Sequence, residues 1–271
     1  MGYQPQAIDT SAEADRLLFA LLRQRSNGDR LQMAMQQNRG ARHLFLTGLK
    51  RRFGQLTADK VAQASLKDAF PQGFEPDGDE MTWIQDPIDL TLSLHSVFKE
   101  LQVAYYISGG VAAIFYGEYR TTQDADLVIN IATHAVPTLT AALEGLGFYI
   151  SGIDNVVSSR LNTFQAIHQQ SFGKADLTIA GTDEFEIAKL ARRRLEQISG
   201  RGELPFISPE DLVLSKLQWQ RSSQSEKQWR DVLGVLKVQA QALNLTYMHH
   251  WAIELDLQAE LAAALVAAGL Q

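Results

Sequence analysis

From Asp124 to Ile131 the chain alternates residue by residue, and that period of two constrains its fold more than any other feature. In an extended strand successive side chains point to opposite faces. Ala125, Leu127, Ile129 and Ile131 therefore make one apolar face, and Asp124, Asp126, Val128 and Asn130 make the other. A strand with one apolar face needs partner strands and a layer to pack on. A candidate partner lies at residues 103–108, rich in β-branched and aromatic side chains. It ends in Ser108-Gly109-Gly110 and passes directly into a short apolar helix over residues 111–116.

The remaining segments sort by period. Residues 11–69 read as helices only, with a first amphipathic helix opening the stretch. Ser26 and Asp29 form a capping-box pattern for a second. A third is expected over residues 41–52 and a fourth over 57–69, followed by a proline- and glycine-bearing linker at 71–79. Asp86-Pro87 is an N-cap followed by an N1 proline, opening a helix to about residue 101. A helix is expected over 133–146 and strands over 148–150, 162–169 and 174–180, the last two joined by a hairpin turn at 170–173. Thr182 is the expected cap of a helix through residue 191. Ser208-Pro209-Glu210-Asp211 combines cap, proline and first-turn acids, and helix is expected from there to about residue 270. The fold class is α+β: a small mixed β-sheet core with flanking helices at residues 81–207, an N-terminal helical module at 1–80 and a C-terminal helical bundle at 208–271.

Composition narrows the function classes. Apolar residues make up 45% and charged residues 21% of 271 residues, values of an ordinary globular chain. With no cysteine, disulfides, thiolate metal sites and cysteine nucleophiles are excluded. The net charge of −6 argues against a general nucleic-acid sponge. No apolar run of membrane-spanning length appears, and the first ten residues lack an apolar signal core, so a cytoplasmic location with no membrane contact is expected.

Two carboxylates on one strand face, Asp124 and Asp126, repel each other and call for a neutralising partner. A hard divalent cation such as Mg²⁺ is one. Taken alone, such a pair is equally at home on a solvated strand edge. The Ser108-Gly109-Gly110 turn changes the balance. Glycine permits close backbone approach, and a helix N-terminus offers free N–H groups to phosphate. Together the two segments supply positioned phosphates and metal ligands, the needs of phosphoryl transfer.

Ser108-Gly109-Gly110, followed by Arg120-Thr121-Thr122-Gln123-Asp124-Ala125-Asp126, resembles the signature of the DNA polymerase beta-type nucleotidyltransferase superfamily. The Arg-x-Thr-x-Asp-x-Asp form is similar to the abortive-infection-type and minimal bacterial members. The resemblance implies that Asp124 and Asp126, with a third acid on a neighbouring strand, bind two Mg²⁺ ions. Asp176 is the best match for that acid, and its implied further role is to accept the acceptor hydroxyl's proton. Ser108, Gly109, Gly110, Arg120, Thr122 and Lys216 are the implied nucleotide-binding residues. Lys216 falls on the apolar stripe of its helix, so it either snorkels outward or turns its charge into a cleft. Asp231 echoes an acid of related proteins without a decided role.

The implied function is transfer of a nucleotide from a nucleoside triphosphate to a hydroxyl on RNA (tRNA included), a protein or a small molecule, with release of pyrophosphate. Toxin–antitoxin members of the resembling families tilt the expected acceptor toward RNA or protein. The alternative is a nucleotide-binding or antitoxin-like regulatory module with little turnover, and a third reading is an interaction protein built on the helical ends.

Overall fold

The computed structural model describes residues 2–53, 86–158, 160–169, 171 and 173–270. Two helices open the chain: α1 (Ala12–Arg23), capped by Ser11, and α2 (Asn27–Phe53). The expected capping box is present, with Asp29 N–H donating to Ser26 Oγ at 3.1 Å and Ser26 N–H to Asp29 Oδ2 at 3.3 Å. The second and third helices expected from sequence are one continuous helix. Gly40 and Gly48 lie inside it; a helical glycine costs roughly 1 kcal/mol, and no proline is there to break the turn. The fourth expected helix (57–69) and the linker (71–79) lie outside the described residues.

Asp86 caps α3 (Pro87–Glu100) through Oδ1, which accepts from the N–H groups of Ile88 and Asp89 at 2.9 Å. The mixed α/β segment follows: β1 (Ala104–Ile107), α4 (Gly109–Tyr116), β2 (Ala125–Asn130), a 3₁₀ turn (Thr133–Ala135), α5 (Val136–Gly145), β3 (Phe148–Ser151), α6 (Ile153–Val157), β4 (Thr163–His168) and β5 (Lys174–Ile179). Next come α7 (Glu184–Arg192), β6 (Arg194–Ile198) and β7 (Gly202–Phe206). Asp183, not Thr182, caps α7: its Oδ1 accepts from Glu186 N–H at 3.0 Å.

The strands form one seven-stranded sheet in the order β3-β4-β5-β2-β1-β7-β6. β2 runs parallel to β5 and antiparallel to β1, and β1 meets β7 in parallel through Ile107 and Phe206. The β6–β7 hairpin was not read from sequence. β6 is polar and mostly exposed, β7 carries Pro205, and only the turn glycines Gly200 and Gly202, both at positive φ, mark it.

The alternation of β2 holds: Ala125, Leu127 and Ile129 are buried, and α3 packs near β1, β2 and β5. Four helices close the chain: α8 (Pro209–Ser223), α9 (Glu226–Gln239), α10 (Leu245–Glu254) and α11 (Gln258–Ala268). Ser208 Oγ caps α8 by accepting from Asp211 N–H at 3.2 Å. One buried apolar cluster runs from Leu31 of α2 through the sheet to Ala268 of α11.

Candidate active site

Strand register gathers the polar residues. Asp126 of β2 and Asp176 of β5 are direct partners in the parallel pairing. Gln165 of β4 is the antiparallel partner of Asp176, and Ser108 N–H donates to Asp126 O at 2.8 Å across the β1 edge. Direct cross-strand partners share a face. Gln165, Asp176 and Asp126 therefore form one transverse row ending at Ser108. Gln165 Nε2 donates to Asp176 Oδ1 at 2.9 Å.

The row is the floor of a cleft of about 670 Å³, walled by α7 and α8. Ser108, Gly109, Asp126, Asp176 and Lys216 all line it. Two further lining groups, Tyr106 Oη and Ser215 Oγ, are buried without a hydrogen-bond partner among the described residues. Buried hydroxyls are ordinarily paired, so both carry a desolvation cost that no bond offsets.

The glycine turn is fitted to Asp126. Gly109 adopts φ +55°, and a β-carbon there would lie 1.9 Å from Asp126 Oδ2. Gly110 N–H donates to that same oxygen at 3.0 Å. A β-carbon on Gly110 would come within 2.7 Å of Thr122 Oγ1 and 3.3 Å of Arg120 Nη2. Only glycine allows this approach at either position. Burial pushes the Asp126 carboxyl above the usual aspartate range; the Gly110 N–H and Lys216 oppose that, while the charges of Asp176 and Asp124 add to it.

Asp124 stands differently. It precedes β2 and its side chain is half-exposed. Lys174 Nζ lies 3.5 Å from both Asp124 Oδ2 and Asp176 Oδ2, so a lysine already shares these two carboxylates. Among the described residues no three His, Asp or Glu side chains are grouped closely enough to hold one metal ion. The three acids of the sequence reading are thus a side-by-side pair, Asp126 and Asp176, with Asp124 drawn to Lys174. The donor set of the pair still suits a hard cation, being two adjacent carboxylates whose repulsion such an ion relieves.

Lys216 turns inward. It is 5% exposed, and its Nζ donates to Asp231 Oδ2 and Gln228 Oε1, both at 2.8 Å. Burial lowers its proton affinity, and the Asp231 carboxylate partly restores it. Asp231 also takes Arg120 as a fork, Nε to Oδ1 at 2.7 Å and Nη2 to Oδ2 at 2.9 Å. Burial pushes the Asp231 carboxyl up, and the hydrogen bonds and charges of Arg120 and Lys216 outweigh it and hold it below its ordinary value. One carboxylate on α9 therefore fixes two of the expected nucleotide-binding cations, and Arg120 is held by Asp231 beside the glycine turn. Lys174, Gln165, Tyr106 and Ser215 were missed from sequence. Only Lys174 and Gln165 left a signal, polar positions on the strand faces that adjoin Asp176.

No protein-family model matches the chain, and no curated protein matches it. Solved structures align with it in part. An antigenic nucleotidyltransferase-like protein from Paracoccidioides brasiliensis is 20% identical over 66% of this chain and 91% of its own, with a TM-score of 0.41. ANT(2'')-Ia, solved with adenylyl-2''-tobramycin, is 17% identical over 64% of this chain and 98% of its own, with a TM-score of 0.44. The lincosamide antibiotic adenylyltransferase LnuA, lincomycin-bound, is 15% identical over 55% of this chain and 95% of its own, with a TM-score of 0.37. These likenesses are remote, and each neighbour's activity is its own.

Proposed function

We propose that the chain is a nucleotidyltransferase that moves a nucleoside monophosphate from a nucleoside triphosphate to a hydroxyl acceptor on RNA, protein or a small molecule. The observation that carries this reading is the direct pairing of Asp126 with Asp176 beside a turn where only glycine fits. In the proposed reaction the acceptor oxygen attacks the α-phosphorus. The bond from that phosphorus to the bridging oxygen breaks, pyrophosphate leaves, and the hydroxyl proton passes to a carboxylate, for which Asp176 is the candidate.

Gly109 and Gly110 let the triphosphate approach the backbone, and Lys216 supplies positive charge from the opposite wall. Tyr106 and Ser215 offer hydroxyls to the substrate inside the cleft. Asp126 and Asp176 would hold Mg²⁺, joined by Asp124 once Lys174 releases it, and the ion would supply charge neutralisation for the phosphates. Asp231 keeps Arg120 and Lys216 in place.

The test is to incubate pure protein with Mg²⁺, each labelled triphosphate, total RNA and cell extract. Asp126→Asn and Asp176→Asn should each reduce label transfer by roughly 10²–10⁴-fold while leaving the far-UV spectrum unchanged. Equal transfer by parent and variants rules the site out.

A second reading, a nucleotide-binding module with little turnover, draws support from the Lys174 bridge, whose single positive charge offsets part of the repulsion between Asp124 and Asp176. Calorimetry separates the two: saturable triphosphate binding with no transfer to any acceptor favours the module. On that reading Lys174→Gln also raises Mn²⁺ affinity, by about two- to fivefold for a half-exposed ion pair.

A further inference from the structure

A second pocket, of about 920 Å³, lies away from the carboxylate cleft, where α1 and the start of α2 meet the ends of α9 and α11. Among the described residues its charged lining is all of one sign: Arg16, Arg23, Arg25, Arg30 and Lys237. Its volume falls in the range of small-molecule sites.

Arg30 is the unusual member. It is 2% exposed and forms no ion pair among the described residues; its Nη groups donate to main-chain oxygens, Leu22 O at 3.0 Å, Arg25 O at 2.6 Å and Phe115 O at 3.2 Å, and to the Asn27 side chain. Its Nε is buried and has no hydrogen-bond partner among the described residues. Desolvation lowers its proton affinity to about 10, countered only by Asp29, the residue before it. A buried guanidinium is normally matched by a carboxylate. Here the match is neutral oxygens alone: main-chain carbonyls at and just after the end of α1 and at the end of α4, and the Asn27 amide at the start of α2.

The acids nearby are already engaged. Asp15 accepts from Lys237 Nζ at 2.6 Å, Tyr3 Oη at 2.5 Å and Gln6 N–H at 2.9 Å. Asp29 serves the α2 capping box. Neither lines the pocket. Arg23 and Arg25 are exposed, and among the described residues neither they nor Arg16 form an ion pair. Arg23 gives Nη1 to Lys237 O at 2.7 Å, which aims its guanidinium along the pocket wall.

We infer that this pocket is an anion site for phosphate oxyanions, carried either by a diffusible phosphorylated molecule or by an RNA backbone. Guanidinium forks match tetrahedral oxyanions in geometry and charge. The ligand supplies the counter-charge that the exposed Arg16, Arg23 and Arg25 lack, and its charge also offsets that of Arg30 behind them; Lys237 already has Asp15. The inference stands independently of the nucleotidyltransferase reading, because it shares no residue with the carboxylate cleft.

The experiment is calorimetry in EDTA with two probes, inorganic pyrophosphate and a short single-stranded oligoribonucleotide. Parent protein is compared with Arg23→Ala/Arg25→Ala, whose side chains are exposed and lie outside the buried apolar cluster, with thermal melts checking that loss of the Arg23 bond to Lys237 O leaves the variant folded. Arg51→Ala/Arg160→Ala, exposed arginines outside the pocket, is the charge control. The pocket variant should bind at least one probe about tenfold more weakly than the parent, and the control should match the parent. Preference for pyrophosphate identifies a diffusible ligand, and preference for the oligonucleotide a backbone; either supports the site. Absence of saturable binding by the parent overturns it, as does equal loss in the control.

Discussion

The carboxylate of Asp126 occupies the space in which any side chain on residue 109 would begin: Oδ2 lies 1.9 Å from the β-carbon position of Gly109, and the same oxygen accepts the N–H of Gly110. Turn and strand acid are therefore a single unit. Gly109 is also at φ +55°, a left-handed conformation that a β-carbon disfavours. Gly109→Ala should lower stability by about 2 kcal/mol or more, combining strain with displacement of Asp126. Urea denaturation reads the loss, and an unchanged midpoint would show that the turn does not depend on this contact.

Asp231 offers a second test. Its carboxylate is the shared partner of buried Lys216 and of Arg120. Asp231→Ala leaves buried Lys216 and the neighbouring Arg120 short of their shared acid, which should cost about 3–5 kcal/mol. Combining Asp231→Leu with Lys216→Met removes both charges and should recover a substantial part of that loss. Denaturant midpoints of the two variants give the comparison, and a double variant no better than Asp231→Ala would show that the pairing is not the source.

The pH dependence of stability should carry the mark of Asp86. This buried acid caps α3, takes Arg201 in a fork at 2.9 Å and takes Arg39 of α2 at 2.8 Å. Burial raises its carboxyl, but the Arg201 hydrogen bond, the cap N–H of Asp89 and the two guanidinium charges outweigh it, so the net direction is down. A folded-state value below the unfolded one means stability that is present above the ordinary aspartate value of about 4 and lost as pH falls through the lower folded value. The parent should thus be more stable than Asp86→Asn at neutral pH, with the gap closing in acid. Thermal melts of both proteins from pH 7 downward check it; a gap that is constant with pH contradicts the assignment.

Among the described residues the Tyr106 hydroxyl has no partner at the cleft floor, and the protein bears its desolvation cost until something bonds to it. Tyr106→Phe should raise the melting stability of the free protein by about 1 kcal/mol and weaken triphosphate or acceptor binding. Stability that falls instead would mean the hydroxyl is already satisfied, by water for example.

Local chemistry made much of the chain legible. Capping residues set the starts of α2, α3 and α8 because a side-chain oxygen there meets an orphan N–H one turn on, a contact contained within four residues. The alternation of β2 fixed which side of that strand is buried, because side-chain direction is a property of the extended backbone. The same local logic failed where signals compete, merging two expected helices into α2 and hiding the polar β6–β7 hairpin.

The site divides along the same line. The glycine turn, Asp126 of β2 and Asp124 just before it could be named from sequence, since each lies within one short segment. That Asp176 stands level with Asp126, that Asp124 leans to Lys174, and that Arg120 and Lys216 meet at Asp231 are matters of register and packing. A parallel strand pair can slide by whole residues without changing either strand's own pattern, and a helix can present a lysine to several neighbours. Only the closed sheet, with α8 and α9 packed against it, selects one register and one partner for each charge.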